Sequence, residues 1–212
     1  KTRATATLRQ RHIPPNVTTN FMTQYRITKY NPKFRDEEGS YFNHSEWTAI
    51  SDIGKPEYTN LSYEEYEETE TAYVNAVLSI LHEKKVSSLR INSLEVANFD
   101  EFFEKVGNSC RFNNLNLNIE TDIKSLKDGL EIGMDKLDKL LRLILREIIF
   151  AVLIGKNIKV RFGYDYYMYV DCAKLDSSTI RSIEQTGLFV EQDQGPKQFT
   201  IHNSNSLVST KN

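Results

Sequence analysis

Apolar residues recur along this chain with two periods, and those periods divide it into strands and helices. Tyr25, Ile27 and Lys29 alternate with Arg26, Thr28 and Tyr30 in the two-residue rhythm of a half-buried strand. Asn31-Pro32 ends that strand, because proline cannot donate to a ladder. The stretch 33–60 is polar but carries Tyr41, Phe42, Trp47, Ile50 and Ile53, which favour an ordered loop packed on its own side chains. Ser62-Tyr63-Glu64-Glu65 has the form of a capping box. Behind it Tyr66, Tyr73, Val77 and Ile80 or Leu81 fall at three- and four-residue steps, predicting a helix that reaches Lys84. A strand is predicted over 86–94, a short helix over 99–106 stopped at Gly107, and a strand over 115–119. The pattern then predicts a long buried helix from Asp135 to Ile154, closed by Gly155 in a left-handed conformation. Ile158 to Cys172 is too long for one strand and is expected as a hairpin turning near Tyr164-Asp165. A helix from Asp176 to Thr186, closed by Gly187, and a strand over 188–192 complete the series.

Interleaved helices and strands with one adjacent strand pair predict a single α+β domain, a mixed β-sheet with helices packed mainly on one face. The domain is expected over 22–202, with flexible segments at 1–21 and 203–212. Residues 1–20 lack a hydrophobic period and contain Pro14-Pro15, so Met22 is read as the natural start and the preceding residues as foreign to the domain.

Composition narrows the function classes. With 212 residues, 39% hydrophobic and 26% charged, the chain can bury one sizeable core and is far from the disordered class. Its net charge of −2 hides an asymmetry. Lys1 to Arg35 holds eight basic residues and no acidic one, leaving 19 basic against 29 acidic residues from Asp36 onward, a formal charge of −10. An acidic body gives no electrostatic footprint for direct nucleic-acid binding. No uncharged apolar run reaches the ~18 residues of a membrane span. Two cysteines, Cys110 and Cys172, are too few for a disulfide scaffold or a four-thiolate zinc site, and a cytoplasmic protein is expected.

Signatures of phosphate loops, dinucleotide binding, nucleophile elbows and metalloproteases are missing, and His12, His44, His82 and His202 are isolated. No cofactor or metal is expected. Four features could still carry function. Arg146-Glu147 are ions inside an apolar run and must reach the surface or be paired. The run Phe162 to Val170 holds four tyrosines and Asp165, either an interface surface or an aromatic hairpin with aspartate in its turn. Asn118, Glu120 and Asp122 would share one face of an extended strand, as oxygen ligands or as a solvated strand end. Tyr63 to Tyr73 interleaves five carboxylates with tyrosines, fit for a basic partner or simply matched to the helix dipole.

The segments Tyr25-Arg26-Ile27-Thr28-Lys29-Tyr30-Asn31-Pro32, Arg35-Asp36, Glu46-Trp47-Thr48, Ser51-Asp52-Ile53-Gly54 and Gly163 to Tyr169 together resemble a group of small, uncharacterised bacterial proteins, mostly of Gram-positive organisms. The resemblance spans Met22 to Val190 and implies a bacterial, cytosolic origin; it carries no activity and no functional residue with it.

Two functions follow as expectations. The first is a non-catalytic protein-binding module of inhibitor or immunity type, such as a toxin-immunity or anti-defence protein. It would set Glu64, Glu67, Glu68, Tyr164, Asp165 and Tyr167 against a basic partner, for instance a nuclease or another nucleic-acid enzyme. The alternative is a hydrolase or nuclease that uses Glu147, Asp165 and Asp52, with Trp47 from the 33–60 loop. Convergence of those four side chains on one deep pocket would favour the enzyme.

Overall fold

A computed structural model describes residues 22–35, 46–58, 61–97 and 123–192. The helix expected over 99–106, the strand over 115–119, the Asn118, Glu120 and Asp122 cluster, and the segments 1–21 and 203–212 lie outside the described residues.

Ser62 starts the longest helix as its sequence foretold: its side chain accepts from the Glu65 N–H at 3.1 Å, and α1 runs over Tyr63–Glu83. Before it come β1 (Thr23–Thr28) and three short 3-10 turns at Pro32–Phe34, Ile50–Asp52 and Pro56–Tyr58. After it follow β2 (Ser88–Val96), β3 (Glu131–Gly133), α2 (Met134–Leu145), β4 (Ile149–Gly155), β5 (Ile158–Phe162), β6 (Met168–Cys172), α3 (Ser177–Glu184) and β7 (Phe189–Gln192).

The strands form one seven-stranded sheet in the order β3-β2-β4-β5-β6-β1-β7. The α+β class holds. The sheet, however, is antiparallel at every described pairing, where a mixed one was expected. The reason lies in the crossovers. α2 joins β3 to β4, which run in the same direction but on either side of β2; α3 joins β6 to β7 on either side of β1. Each helical crossover steps over an antiparallel strand, giving two split β-α-β units coupled through β5.

One face of the sheet carries the core. Ile91, Leu153, Val160, Val170 and Tyr25 stand side by side across five strands and are all buried. Against them pack Tyr66, Tyr73, Val77 and Leu81 of α1, Leu137, Leu141 and Ile144 of α2, and Ile183 of α3. Helices on one face were expected, and the core cluster shows them there.

The predicted helix over 135–154 is half wrong. α2 stops at Leu145, and Ile149–Gly155 is a strand. An apolar run without polar punctuation fits a buried strand as well as a buried helix, and β-branched Ile148, Ile149, Val152 and Ile154 favour the strand. Gly155 closes no helix. Its φ is not left-handed; a Cβ there would stand 2.7 Å from Leu89 Cδ2 and 2.8 Å from Ile158 Cγ2. The strand end needs a residue without a side chain.

Candidate functional site at the acidic pole

Helix α1, about 30 Å long for its 21 residues, has its acidic first turns at one pole of the molecule. Glu64, Glu65 and Glu68 are exposed there and Glu67 is half-buried. Their neighbour is the β5–β6 connection. Tyr166 of that connection donates its hydroxyl proton toward Tyr66 Oη at 2.6 Å, with the Leu145 carbonyl at 3.1 Å, and its own carbonyl accepts from Tyr73 Oη at 2.6 Å. Two segments 100 residues apart are thus fastened together.

Beneath them lies a buried ionic network. Arg146, fully buried, forms a two-pronged pair with Glu70, Nε to Oε1 at 2.6 Å and Nη2 to Oε2 at 2.7 Å. Arg142 adds Nη1 to Glu70 Oε2 at 2.7 Å and pairs with Asp138 at 3.2 Å, so two cations face two carboxylates. Tyr66 donates to Glu70 at 3.3 Å, and Tyr63 Oη accepts from Arg146. Burial works against the charge of both guanidiniums, but the bonds and charge of Glu70 outweigh it and hold both more firmly protonated than usual. Burial, reinforced by the nearby carboxylates, raises the Tyr66 and Tyr166 hydroxyls far above their ordinary value. They are donors at every physiological pH.

The connection itself is a tight turn. The Tyr167 N–H reaches the Tyr164 carbonyl at 3.2 Å, and Asp165 (φ 57) and Tyr166 (φ 59) are both left-handed, the signature of a type I′ turn. Glycine or asparagine is usual in such positions; a tyrosine there costs about 1–2 kcal/mol of backbone strain. Packing opposes that cost. The Tyr166 ring contacts Trp47 edge-on at 5.2 Å and also meets Tyr66 and Tyr73. With Tyr166 clamped inward, Tyr164 is left 92% exposed at the tip, beside exposed Asp165.

A third left-handed residue adjoins the turn. Helix α2 ends in a Schellman motif, Ile148 N–H to Leu143 carbonyl and Glu147 N–H to Ile144 carbonyl, with Glu147 (φ 58) where glycine is customary. Exposed Glu147 lines a groove of about 520 Å³ with Tyr164, Phe150, Val96 and Glu95. Phe150 and Val96 are 47% and 42% exposed.

The structure ties the first turns of α1, which carry Glu64, Glu67 and Glu68, to the connection that carries Tyr164 and Asp165 through the Tyr66–Tyr166 bond; Glu64 and Glu68 stand about half a turn round the helix from Tyr66. Tyr167 turns elsewhere, between Tyr30 at 5.7 Å and Tyr169 at 6.5 Å, with Arg26 above its ring. The residues considered for catalysis do not line the groove together; Glu147 is there without Asp52 or Trp47. Asp52 is buried and accepts from Thr48 N, Ala49 N and Lys55 Nζ. Burial would raise its carboxyl, but these bonds outweigh it and hold it below the usual carboxylate range. Trp47 is buried against Tyr66 and Tyr166, with the Lys29 ammonium 4.1 Å from its ring. Among the described residues no group of His, Cys, Asp and Glu is placed to hold a metal ion, and no helix is long and apolar enough to cross a membrane.

Sequence reasoning required Arg146 to reach the surface or be paired; the structure pairs it, with a partner the sequence reading did not name. Glu70 sits in an acidic run that reads as solvated, yet it lies four residues after Tyr66 and three before Tyr73, on the apolar stripe of α1. That offset was the available signal. No family model, curated protein or solved structure matches this chain.

Proposed function

We propose that this protein is a non-catalytic binding module of inhibitor or immunity type that presents its acidic, tyrosine-tipped pole to a basic protein, such as an enzyme that handles nucleic acid. One observation carries the reading: a turn that keeps two left-handed non-glycine residues, one of them a clamped tyrosine, and so holds Tyr164 and Asp165 out from the surface. Backbone strain of this kind persists where the surroundings over-determine it, and it concentrates at functional surfaces. A rigid aromatic tip amid carboxylates suits an interface: the ring supplies contact area at little entropic cost, and the charges steer a cationic partner. Immunity, anti-defence and nuclease-inhibitor roles all fit such a partner. A cytoplasmic setting belongs to the same reading, and buried Cys172, whose thiol burial pushes up to about 12, is inert as a nucleophile there. The hydrolase alternative draws less support, because the oxygens of Asp52 are occupied by its own turn and Glu147 stands without it in the groove.

The test compares immobilised wild-type protein with an E64K/E68K/D165K variant as bait in extract of the native host. A basic protein retained by wild type alone, and released at about 1 M salt where charges are screened beyond about 3 Å, supports the reading. Equal retention by both baits would overturn it.

A further inference from the structure

At the opposite end of α1 the molecule is hollow and cationic. The last turn of the helix, the start of β2 and the β4–β5 turn enclose a groove of about 830 Å³, within the size range of small-molecule sites. Three cations from three segments line it: Lys85, Arg90 and Lys156. Their side chains make no hydrogen bond or ion pair among the described residues. Lys84 also lines the groove, but its ammonium is taken by Glu83 and the Lys174 carbonyl.

The one carboxylate of the lining, Glu131, stands directly across from Arg90 in the β2–β3 register. It makes no ion pair with Arg90 among the described residues, and its oxygen accepts from Ser88 Oγ at 2.6 Å; its one negative charge still leaves the lining cationic. Nor does the negative end of α1 face the groove unsatisfied, since the N–H groups of Lys84, Lys85 and Val86 cap the carbonyls of Ile80, His82 and Leu81. Two residues of the rim, Lys85 (φ 54) and Asn157 (φ 58), are left-handed. In a body with ten more acidic than basic residues, three exposed cations with no partner among the described residues gather around one concavity, an arrangement suited to an anion. An arginine fork can grip two oxygens of one phosphate while two lysines neutralise further charge.

We propose that this groove binds a small phosphate ester or polyphosphate carrying at least two negative charges. The site is independent of the acidic pole.

Tripolyphosphate, adenosine triphosphate and adenosine serve as probes, with affinity read by calorimetry on the full chain. Tripolyphosphate and the nucleotide should both bind; equal affinity identifies the phosphate chain as the recognised part, and tighter nucleotide binding adds the base. The R90A/K156A variant should lose about tenfold in affinity for each cation removed. The K136A/K139A variant removes the same charge from exposed α2 positions outside this groove and should bind like wild type. All four positions are exposed, and unchanged melting without ligand certifies each fold. Equal weakening in both variants would reduce the effect to general charge and overturn the proposal. So would silence of both phosphate probes, or binding confined to a single-stranded oligonucleotide.

Discussion

The two ends of α1 are built by the same devices and end in opposite shapes. At each pole a helix finishes in a Schellman motif with a charged residue where glycine is customary, Glu147 at one and Lys85 at the other. Beside each sits a hairpin turn with a left-handed polar residue, Asp165 at one and Asn157 at the other. The acidic pole is filled from beneath by Tyr166, Tyr66 and the Glu70 network, and its tip projects. The basic pole rests on Gly155, whose missing side chain lets Leu89, Ile158 and Val86 close in below the groove. A projecting aromatic tip is fitted to a protein surface, a concavity to a small ligand. The helix ends match, the turns differ (Asp165 and Tyr166 are both left-handed, Asn157 alone in the other), and what fills the space beneath sets the shape of each pole.

The largest effect should come from removing the support of the acidic pole. Glu70→Ala leaves Arg146 buried without a counter-charge and takes one of two carboxylates from Arg142. We expect a loss of about 3–5 kcal/mol in chemical denaturation. A triple apolar replacement, Glu70→Met with Arg142→Met and Arg146→Leu, should recover most of that loss, because paired ions in a core seldom outperform well-packed apolar groups. Partner binding tells whether the ions matter beyond stability. If the triple variant binds as wild type does, the network is scaffolding and any filled core would present the same tip.

Gly155→Ala probes the other pole. The added methyl meets two side-chain atoms below 3.0 Å, one of them on β-branched Ile158. Overpacking of this kind should cost about 1–3 kcal/mol. It should also weaken phosphate binding while leaving the acidic pole's partner untouched. Loss of both functions together would show the poles to be mechanically coupled, against the independence argued above.

How far the fold could be read in advance depended on whether its signals were local. Ser62 and the Tyr66, Tyr73, Val77 spacing announce α1 because capping and periodicity reside within a few residues. The turn at Tyr164-Asp165 was legible for the same reason. The α2–β4 boundary was not, since an unbroken apolar run has no period to read. Three-residue β3 is too short to signal itself. Both sites depend on convergence: Glu70 meets Arg146 across 76 positions, and Lys85, Arg90 and Lys156 share a groove only because β2 lies next to β4. Strand order is a long-range fact, and no window of sequence contains it.

Tyr166 tests how tightly the tip is held. Tyr166→Phe keeps the ring but removes the hydroxyl between Tyr66 and the Leu145 carbonyl, at an expected cost of about 1–2 kcal/mol. Alkali should reach the same network. Burial holds Tyr63, Tyr66 and Tyr166 above the ordinary value of 10.0. As pH rises past 10, the unfolded chain releases these protons before the folded one does. Their contribution is complete below pH about 10 and is lost progressively above it. Tyrosinate absorbance should therefore appear in step with unfolding; a gradual rise in a protein that remains folded would contradict the buried arrangement.

The smallest effect sharpens the comparison most. Glycine at the helix-terminal positions relieves left-handed strain, so Lys85→Gly and Glu147→Gly should each stabilise the fold by about 1 kcal/mol. Lys85 is exposed and free of ion pairs among the described residues, and Glu147 is exposed at the end of its helix. Each should then show a trade between stability and function at its own pole alone. Lys85→Gly should weaken tripolyphosphate and spare the basic partner, and Glu147→Gly should do the reverse. Two variants that gain stability and lose nothing would mean that the charged residues at these helix ends are incidental, and the functional contrast between the poles would fall with them.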